Sequence, residues 1–204
     1  MNRPHSEWKT GIRENGVIMK NKTIISMIMV GLLLLLAGCA SRTSVQSFNR
    51  ADASIAHIQA VAVLPFEGSD RAPRVREFAM TQVLAQGLFD VVDKGRVDSF
   101  LAQEAIAPGT PLDAPTMRRL GQIINVQAFL LGSMEQSTDT RGTAVYPEIS
   151  MTLRLIDAET GVLLWQASGR GSGYSLMDRL FGLAPKDHFQ VTMDLLRRLL
   201  GTMG

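Results

Sequence analysis

The sequence has few of the side chains on which most active sites and metal centres depend. One cysteine and three histidines occur in 204 residues, and only His57 and His188 lie beyond Cys39. No zinc-like cluster, no G-x-S-x-G elbow and no phosphate-binding loop is present. We therefore predict a protein that is not an enzyme and that needs no metal or other cofactor.

Most of the chain also lacks an excess of basic residues. The formal net charge is +2, but five of the 21 basic residues and two of the 19 acidic residues precede Cys39. The remainder has one more acidic than basic residue and contains no basic block. Because proteins that bind nucleic acid carry such a block, we predict no nucleic-acid partner.

The closest acid pairs, Asp90 with Asp93 and Asp157 with Glu159, stand at the ends of predicted strands. Carboxylates at such positions are commonly solvated or cap a turn, whereas a catalytic pair needs two environments that separate the pKa values. We interpret His188 as a surface or capping residue, because it lies in the first turn of the last predicted helix.

The apolar run Ile24–Ala37 has fourteen residues and follows two lysines. A membrane-spanning helix needs about 20 apolar residues, so this run is more typical of a signal peptide. Two alternatives stay open, an uncleaved N-terminal helix and a buried structural thiol at Cys39. Met19 would be an ordinary start for a signal peptide, so we predict that translation begins there and that residues 1–18 are an upstream extension.

The end of this run resembles the bacterial lipobox, the cleavage motif of lipoproteins, in Leu36, Ala37, Gly38 and Cys39. The resemblance implies that residues 1–38 are removed and that Cys39 then carries a diacylglycerol thioether and an amide-linked acyl chain such as palmitate. Two or more chains anchor a protein stably to a membrane. Ala40, rather than an acidic residue, follows the cysteine. By analogy with enterobacterial sorting, this implies the periplasmic face of the outer membrane.

Beyond Cys39, the hydrophobic pattern predicts one α/β domain over residues 60–204, preceded by a polar tether over residues 39–59. Short apolar or alternating runs predict about five strands; they are Ala60–Phe66, Phe89–Asp93, Gln127–Gln136, Glu148–Asp157 and Val162–Gly169. Apolar residues at helical spacing predict helices; they are Arg74–Leu88, Arg96–Ala105, Ala114–Ile124 and Asp187–Thr202. Their alternation predicts a mixed sheet flanked by helices.

Four local features are specific predictions. Asp113 is expected to cap the helix that follows it, and Gly161 to adopt the left-handed conformation in a tight turn. Phe189 is expected to face the core from the last helix. The glycine-rich residues 169–173 are expected to form a flexible turn, or a place where another backbone approaches closely.

An apolar patch, SLMDRLFGLAP, lies outside the predicted strands and helices. Its large residues include Leu176, Leu180, Phe181 and Leu183. The patch either folds onto the core as a short helix or forms a contact surface for a partner, a neighbouring subunit or lipid.

Four segments of the domain share a known pattern; they are VAVLPFEG at Val61–Gly68, GLFDVVDKGRVDSFLAQE at Gly87–Glu104, LGQIINVQAFLLGSM at Leu120–Met134 and LRLIDAETGVLLW at Leu153–Trp165. Together they resemble the CsgG-like periplasmic lipoproteins, a group that includes the curli secretion channel. The lipoprotein activators of penicillin-binding proteins have a similar domain. The resemblance implies an anticodon-binding-domain-like fold over about residues 60–169.

The same resemblance implies a non-enzymatic accessory in the assembly or secretion of an envelope structure, one that binds envelope proteins and can form homo-oligomers. The alternative that it implies is an activator of a penicillin-binding protein, which is a cell-wall synthase. Because the shared motifs are core and turn residues, they are evidence for the fold rather than for either function.

Overall fold

The computed structural model describes residues 26–27, 29, 45–51, 55–141, 144–174 and 186–203. Thr43–Gly204 form one compact unit, to which all the elements below belong. In the preceding unit, Met1–Arg42, the few described residues are helical. None of the helices in the described ranges is both long enough and apolar enough to cross a membrane.

Within these ranges, seven strands form one sheet; they are β1 (Val45–Asn49), β2 (Ala60–Val63), β3 (Glu67–Gly68), β4 (Asp90–Val91), β5 (Ala128–Arg141), β6 (Ala144–Asp157) and β7 (Leu163–Ser172). The flanking helices are α1 (Ala72–Ala85), α2 (Lys94–Gln103), α3 (Ala114–Ile124) and α4 (His188–Leu200). The strand order is β1-β7-β6-β5-β2-β4, with β3 paired to β5 beyond the end of β2. β2 is parallel to β4 and β5, whereas β1, β7, β6 and β5 are successively antiparallel. The predicted α/β domain with a mixed sheet is confirmed.

The two faces of the sheet carry separate hydrophobic cores. On one face α1 and α4 pack around Trp165, and on the other α2 and α3 pack around Phe129. Side chains alternate along a strand, so the neighbours Val61 and Ala62 enter different cores. Both aromatic side chains are fully buried. The sheet is therefore covered on both faces where its parallel strands lie.

α4 docks on the sheet through a stripe of buried residues; they are Val191, Thr192, Leu195, Leu196, Leu199 and Leu200. Each fully buried leucine contributes about 2 kcal/mol. The prediction that Phe189 faces the core was wrong, because its side chain is 52% exposed. Phe189 lies in the first turn at the edge of the stripe, where it contacts Phe78 of α1.

Two stretches that were not predicted as strands join the sheet. The predicted tether contains β1, which pairs with β7 from Val45 opposite Gly169 to Asn49 opposite Trp165. Glycine-rich residues predicted as a flexible turn belong to β7 instead. The alternative prediction, that another backbone approaches closely, is confirmed at Gly173, where a Cβ would lie 2.6 Å from the carbonyl oxygen of Lys186.

The hairpin of β5 and β6 is longer than predicted. β5 continues past Gln136 to Arg141, and β6 starts at Ala144 and passes through Pro147. The sequence here is polar and interrupted by proline, so its alternation does not reveal the pairing that the backbone makes. Two turn predictions are confirmed: Asp113 accepts a hydrogen bond from the amide of Thr116 at 2.9 Å, and Gly161 has a φ of 72°.

Candidate protein-binding surface

Four aspartates serve as caps. Asp93, Asp113 and Asp187 accept hydrogen bonds from the first-turn amides of α2, α3 and α4. Asp157 accepts the amide of Thr160 at 2.8 Å in the turn between β6 and β7. The capping interpretation is confirmed for Asp93 and Asp157. In the described part of the chain, no three metal-binding side chains cluster.

The usual ligand crevice of an α/β sheet contains an internal ion pair in this fold. β2 leads into α1 on one face and β4 into α2 on the other, so their carboxyl ends form a topological switch point. Arg76 reaches across it from α1: its Nε donates to the carbonyl of Val63 at 2.9 Å, and its Nη1 to Asp98 of α2 at 2.5 Å. The side chain of Arg76 is 3% exposed. We interpret this pair as a structural link between the two helices.

Asp98 is held in its ionised form by its neighbours. Burial by itself raises its pKa, but the hydrogen bonds and positive charges of Arg76 and Lys94 outweigh burial, so the pKa lies below its ordinary value. Lys94 lies one helical turn before Asp98, with Nζ 3.0 Å from Oδ2. The carboxylate therefore remains charged throughout the neutral pH range.

Polar side chains cover the part of the sheet that α2 and α3 leave open. Ser133, Thr152, Ser168 and Gln46 form a row across β5, β6, β7 and β1. The hydroxyl oxygens of Thr152 and Ser168 are 2.8 Å apart and share a hydrogen bond. The row lies in an open depression of about 660 Å³. Antiparallel sheets commonly present one such face to water, and hydration accounts for this composition.

A second concavity, of about 330 Å³, lies on the other face between the first turns of α1 and α4. We call it the α1–α4 groove and define it by Arg71, Arg74, Phe78, Gln136, His188 and Phe189. Met134 of β5 and Ile149 of β6, both buried, contribute to its apolar floor. Charged side chains stand around that floor. The groove thus combines an apolar base with a polar rim, as protein interfaces do.

Two aromatic rings join the helices at the groove. The centroids of Phe78 and Phe189 are 5.1 Å apart and their planes make an angle of 83°. Such an edge-to-face pair contributes about 0.5–1.5 kcal/mol beyond its buried area. Because Phe189 remains 52% exposed, its ring is available for further burial against another molecule.

The two arginines of the groove stand where a helix disfavours them. α1 has no acidic residue in its first turn, and Arg71 occupies the N-cap position without a side-chain capping hydrogen bond. A favourable charge at this end is worth about 0.3–1 kcal/mol, so a positive charge there is unfavourable. Within the described ranges, the side chains of Arg71 and Arg74 make no hydrogen bond and no ion pair. Their positions therefore add nothing to the stability of the helix.

His188 stands on the same rim in its neutral form. The side-chain amide nitrogen of Gln136 lies 2.6 Å from its Nδ1, so the two side chains are joined by a hydrogen bond. Burial lowers the pKa of His188, and the nearby positive charge of Arg71 lowers it further, while Asp187 opposes both. At neutral pH, Arg71 and Arg74 therefore supply the positive charge of the groove.

We expect His188 to titrate below the ordinary value of histidine, about 6.5, and Arg71→Gln to raise its pKa by removing a repelling charge. The folded chain binds this proton less readily than the unfolded chain. His188 therefore costs stability as the pH falls through the ordinary value, and the loss is complete below the folded pKa. NMR titration of the ring measures the shift. Arg118→Gln on α3 is the control, and an equal shift in both variants would exclude Arg71 as the cause.

The residues predicted for lipidation, signal cleavage and partner contact lie outside the residues that the structure describes. They are Leu36, Ala37, Gly38 and Cys39 of the lipobox, and Leu176, Leu180, Phe181 and Leu183 of the apolar patch. Their roles stay predictions. Sequence reasoning missed the α1–α4 groove. One feature of the sequence points to it: the helix begins with Arg71 and Arg74 and has no acidic residue in its first turn.

Known proteins share this arrangement of strands and helices. The family model of the peptidoglycan-synthase activator LpoB matches residues 77–170. This span runs from α1 through most of β7 and holds just under half of the chain. The likeness to the activators is thereby supported, whereas the CsgG-like resemblance stays a prediction. No curated protein matches the chain.

Two solved structures show the same fold. The lipoprotein GNA1162 from Neisseria meningitidis is 16% identical with a TM-score of 0.52, and the match covers 71% of this chain and 96% of that one. The dodecamer of a PelC point variant from Paraburkholderia phytofirmans is 19% identical with a TM-score of 0.50, covering 78% and 95%. At these identities the likeness concerns the fold alone.

Proposed function

We propose that this chain is a lipid-anchored periplasmic protein that activates a peptidoglycan synthase by binding it. The observation that carries the proposal is the match of residues 77–170 to the peptidoglycan-synthase activator LpoB. This span includes most of α1, all of α2 and α3, and both long strands of the hairpin, so the likeness concerns the body of the domain. The name of the GNA1162 structure, a lipoprotein, agrees with an anchored protein of this fold.

In this proposal the chain has no catalytic step of its own. Asp93, Asp113, Asp157 and Asp187 are engaged as caps, and the crevice at the ends of β2 and β4 holds the Arg76–Asp98 pair. Activation would then come from binding, with the domain favouring an active state of the synthase. The purified lipoprotein should show no hydrolase or transferase activity. An activity lost on one point substitution would contradict this part of the proposal.

Cys39 would hold the domain at the outer membrane by its acyl chains. We expect Cys39→Ala to abolish incorporation of labelled palmitate, because no thiol is left to acylate. Ser41→Ala, two residues away, is the control and should leave the labelling unchanged. Labelling that survives in Cys39→Ala would contradict the anchor.

The decisive experiment recovers the partner and measures its activity. Crosslinked membranes that express the tagged lipoprotein should yield a penicillin-binding protein, and the purified lipoprotein should accelerate glycan polymerisation or crosslinking by that enzyme. Recovery of secretion or surface-appendage components without a synthase would instead favour an accessory in envelope assembly. Size-exclusion chromatography with light scattering tests self-association, which we propose because the PelC structure of the same fold is a dodecamer.

A further inference from the structure

The α1–α4 groove has an apolar surface that the described residues cover incompletely. Met134 and Ile149 close its floor and are buried, whereas Phe189 at its edge is 52% exposed. Phe78 contacts that ring edge to face. Arginine and aromatic side chains are enriched at the energetic centres of protein interfaces. The composition of the groove therefore matches a docking site for a protein segment.

The charges of the groove indicate the chemistry of its occupant. Arg71 and Arg74 have no acidic partner within the described ranges. The acid on the rim, Asp187, already accepts the amide of Gln190 in a capping box, and Lys186 beside it is paired with Asp194 at 2.6 Å. The two arginines are therefore the positive charges of the groove that an acidic ligand would neutralise. Carboxylates are the protein groups that arginine recognises best, through paired hydrogen bonds.

We propose that the α1–α4 groove binds an acidic, amphipathic segment of the protein partner. The apolar side chains of this segment pack on Phe78 and Phe189, and its carboxylates pair with Arg71 and Arg74. A helix laid along a groove between two helices presents both kinds of side chain at suitable spacing. This inference rests on one part of the proposed function, namely that the chain works by binding another protein.

A peptide segment fits these observations better than a lipid surface does. Anionic membranes attract clusters of several basic residues, and here two arginines stand on a domain that has no basic excess. The apolar floor is also recessed between two helices, where a peptide side chain enters more readily than a flat bilayer surface. Lipid is therefore an outcome of the test rather than part of the proposal.

The test uses the full mature lipoprotein in detergent and a labelled synthetic peptide of about 14 residues, which is about four helical turns. Glutamate occupies one face of the peptide and leucine with phenylalanine the other, and a matched peptide has glutamine in place of every glutamate. Fluorescence anisotropy measures the affinity. We expect the acidic peptide to bind more tightly than its neutral counterpart and to lose affinity as salt rises.

Charge reversal at the groove should weaken this binding selectively. Arg71→Glu combined with Arg74→Glu should lower the affinity about tenfold or more, since it replaces attraction by repulsion. Phe189→Ser should lower it as well by removing the exposed ring. The control for net charge combines Arg118→Glu with Arg119→Glu on α3 and should leave binding unchanged. It also breaks the ion pair of Arg119 with Glu104, so circular dichroism checks that this variant is folded. Equal losses in the groove and control variants would overturn the proposal.

Other occupants give different results, and each would overturn the proposal. Phosphatidylglycerol vesicles that bind through Arg71 and Arg74, with no binding of the peptide, would identify a lipid surface. Peptide binding that appears only after Leu180→Ser and Phe181→Ser would show that the groove is occupied by residues 175–185 of the chain itself. Equal affinity for the acidic and neutral peptides would exclude recognition by charge.

The same variants separate this inference from the proposed function. If the groove variant still recovers and activates a synthase as well as the unaltered chain does, the groove is not the docking site and the proposed function stands. If the unaltered chain binds the acidic peptide through the groove but recovers no synthase, the proposed function is wrong and the docking site stands.

Discussion

Asp98→Ala is expected to lower the free energy of unfolding by about 3 kcal/mol, although the substitution is made at a partly exposed residue. It leaves Arg76, whose side chain is 3% exposed, without a carboxylate partner. Breaking a buried ion pair from one side costs about 3–5 kcal/mol, and the lower end applies because the side chain of Asp98 is 37% exposed. Urea unfolding followed by far-UV circular dichroism measures the loss.

Replacing the other member of the ion pair, Arg76, should cost less stability. This difference tests whether the unpaired buried charge causes the loss in Asp98→Ala. Arg76→Met removes the buried charge together with its desolvation cost, and mainly leaves the carbonyl of Val63 without a donor, for about 1–3 kcal/mol. Lys94→Met is the control, because it removes the exposed partner of Asp98 and should cost about 0.5 kcal/mol or less. A larger loss for Arg76→Met than for Asp98→Ala would show that packing, rather than an unpaired charge, governs this site.

The helices and the inner strands of the domain could be predicted because their patterns are set by burial. α3 was predicted with its observed bounds, since Asp113 caps it and its apolar residues recur at helical spacing. β2 and the apolar part of β5 lie between two cores and accordingly have continuous apolar sequences. Where an element faces a core, its sequence therefore shows either apolar residues at helical spacing or a continuous apolar run.

The elements that were missed are held by backbone pairing more than by their side chains. Four of the five residues of β1 are exposed, so nothing in VQSFN indicates a strand before β7 is known to lie beside it. The outer part of the β5–β6 hairpin is likewise polar, and its two strands are held together by backbone pairing. Context of this kind outweighs local propensity in strands.

Part of the α1–α4 groove can be recognised in the local sequence, and part of it only in the folded structure. Arg71 and Arg74 are local anomalies that a reader of the sequence can notice, because positive charge is unfavourable at the start of a helix. Their neighbour Phe189 comes from the other end of the domain, and the prediction placed it inside the core. Only the packing of α4 beside α1 shows that the arginines and the exposed ring share one surface. Positions at which a local rule fails are expected at functional sites.

Gly68→Ala is expected to cost about 3 kcal/mol and to detach β3 from β5. Gly68 has a φ of 109°, and a Cβ at this position would overlap the carbonyl oxygen of Met134. That oxygen belongs to the backbone of a central strand, so the clash cannot be relieved by rotation of a side chain. Strain of this kind costs about 1–3 kcal/mol before the lost pairing is counted. Urea unfolding measures the stability, and hydrogen exchange at residues 133 and 134 reports the pairing.

Gly87→Ala separates the clash from the backbone conformation. Gly87 also has a positive φ, of 63°, but a Cβ there would have no atom within 4 Å. This variant carries the conformational cost alone, about 1 kcal/mol, and should leave hydrogen exchange in β5 unchanged. If both variants lost the same stability, β3 would have shifted to accept the methyl group. The close contact between Gly68 and Met134 would then not be what requires a glycine at the end of β3.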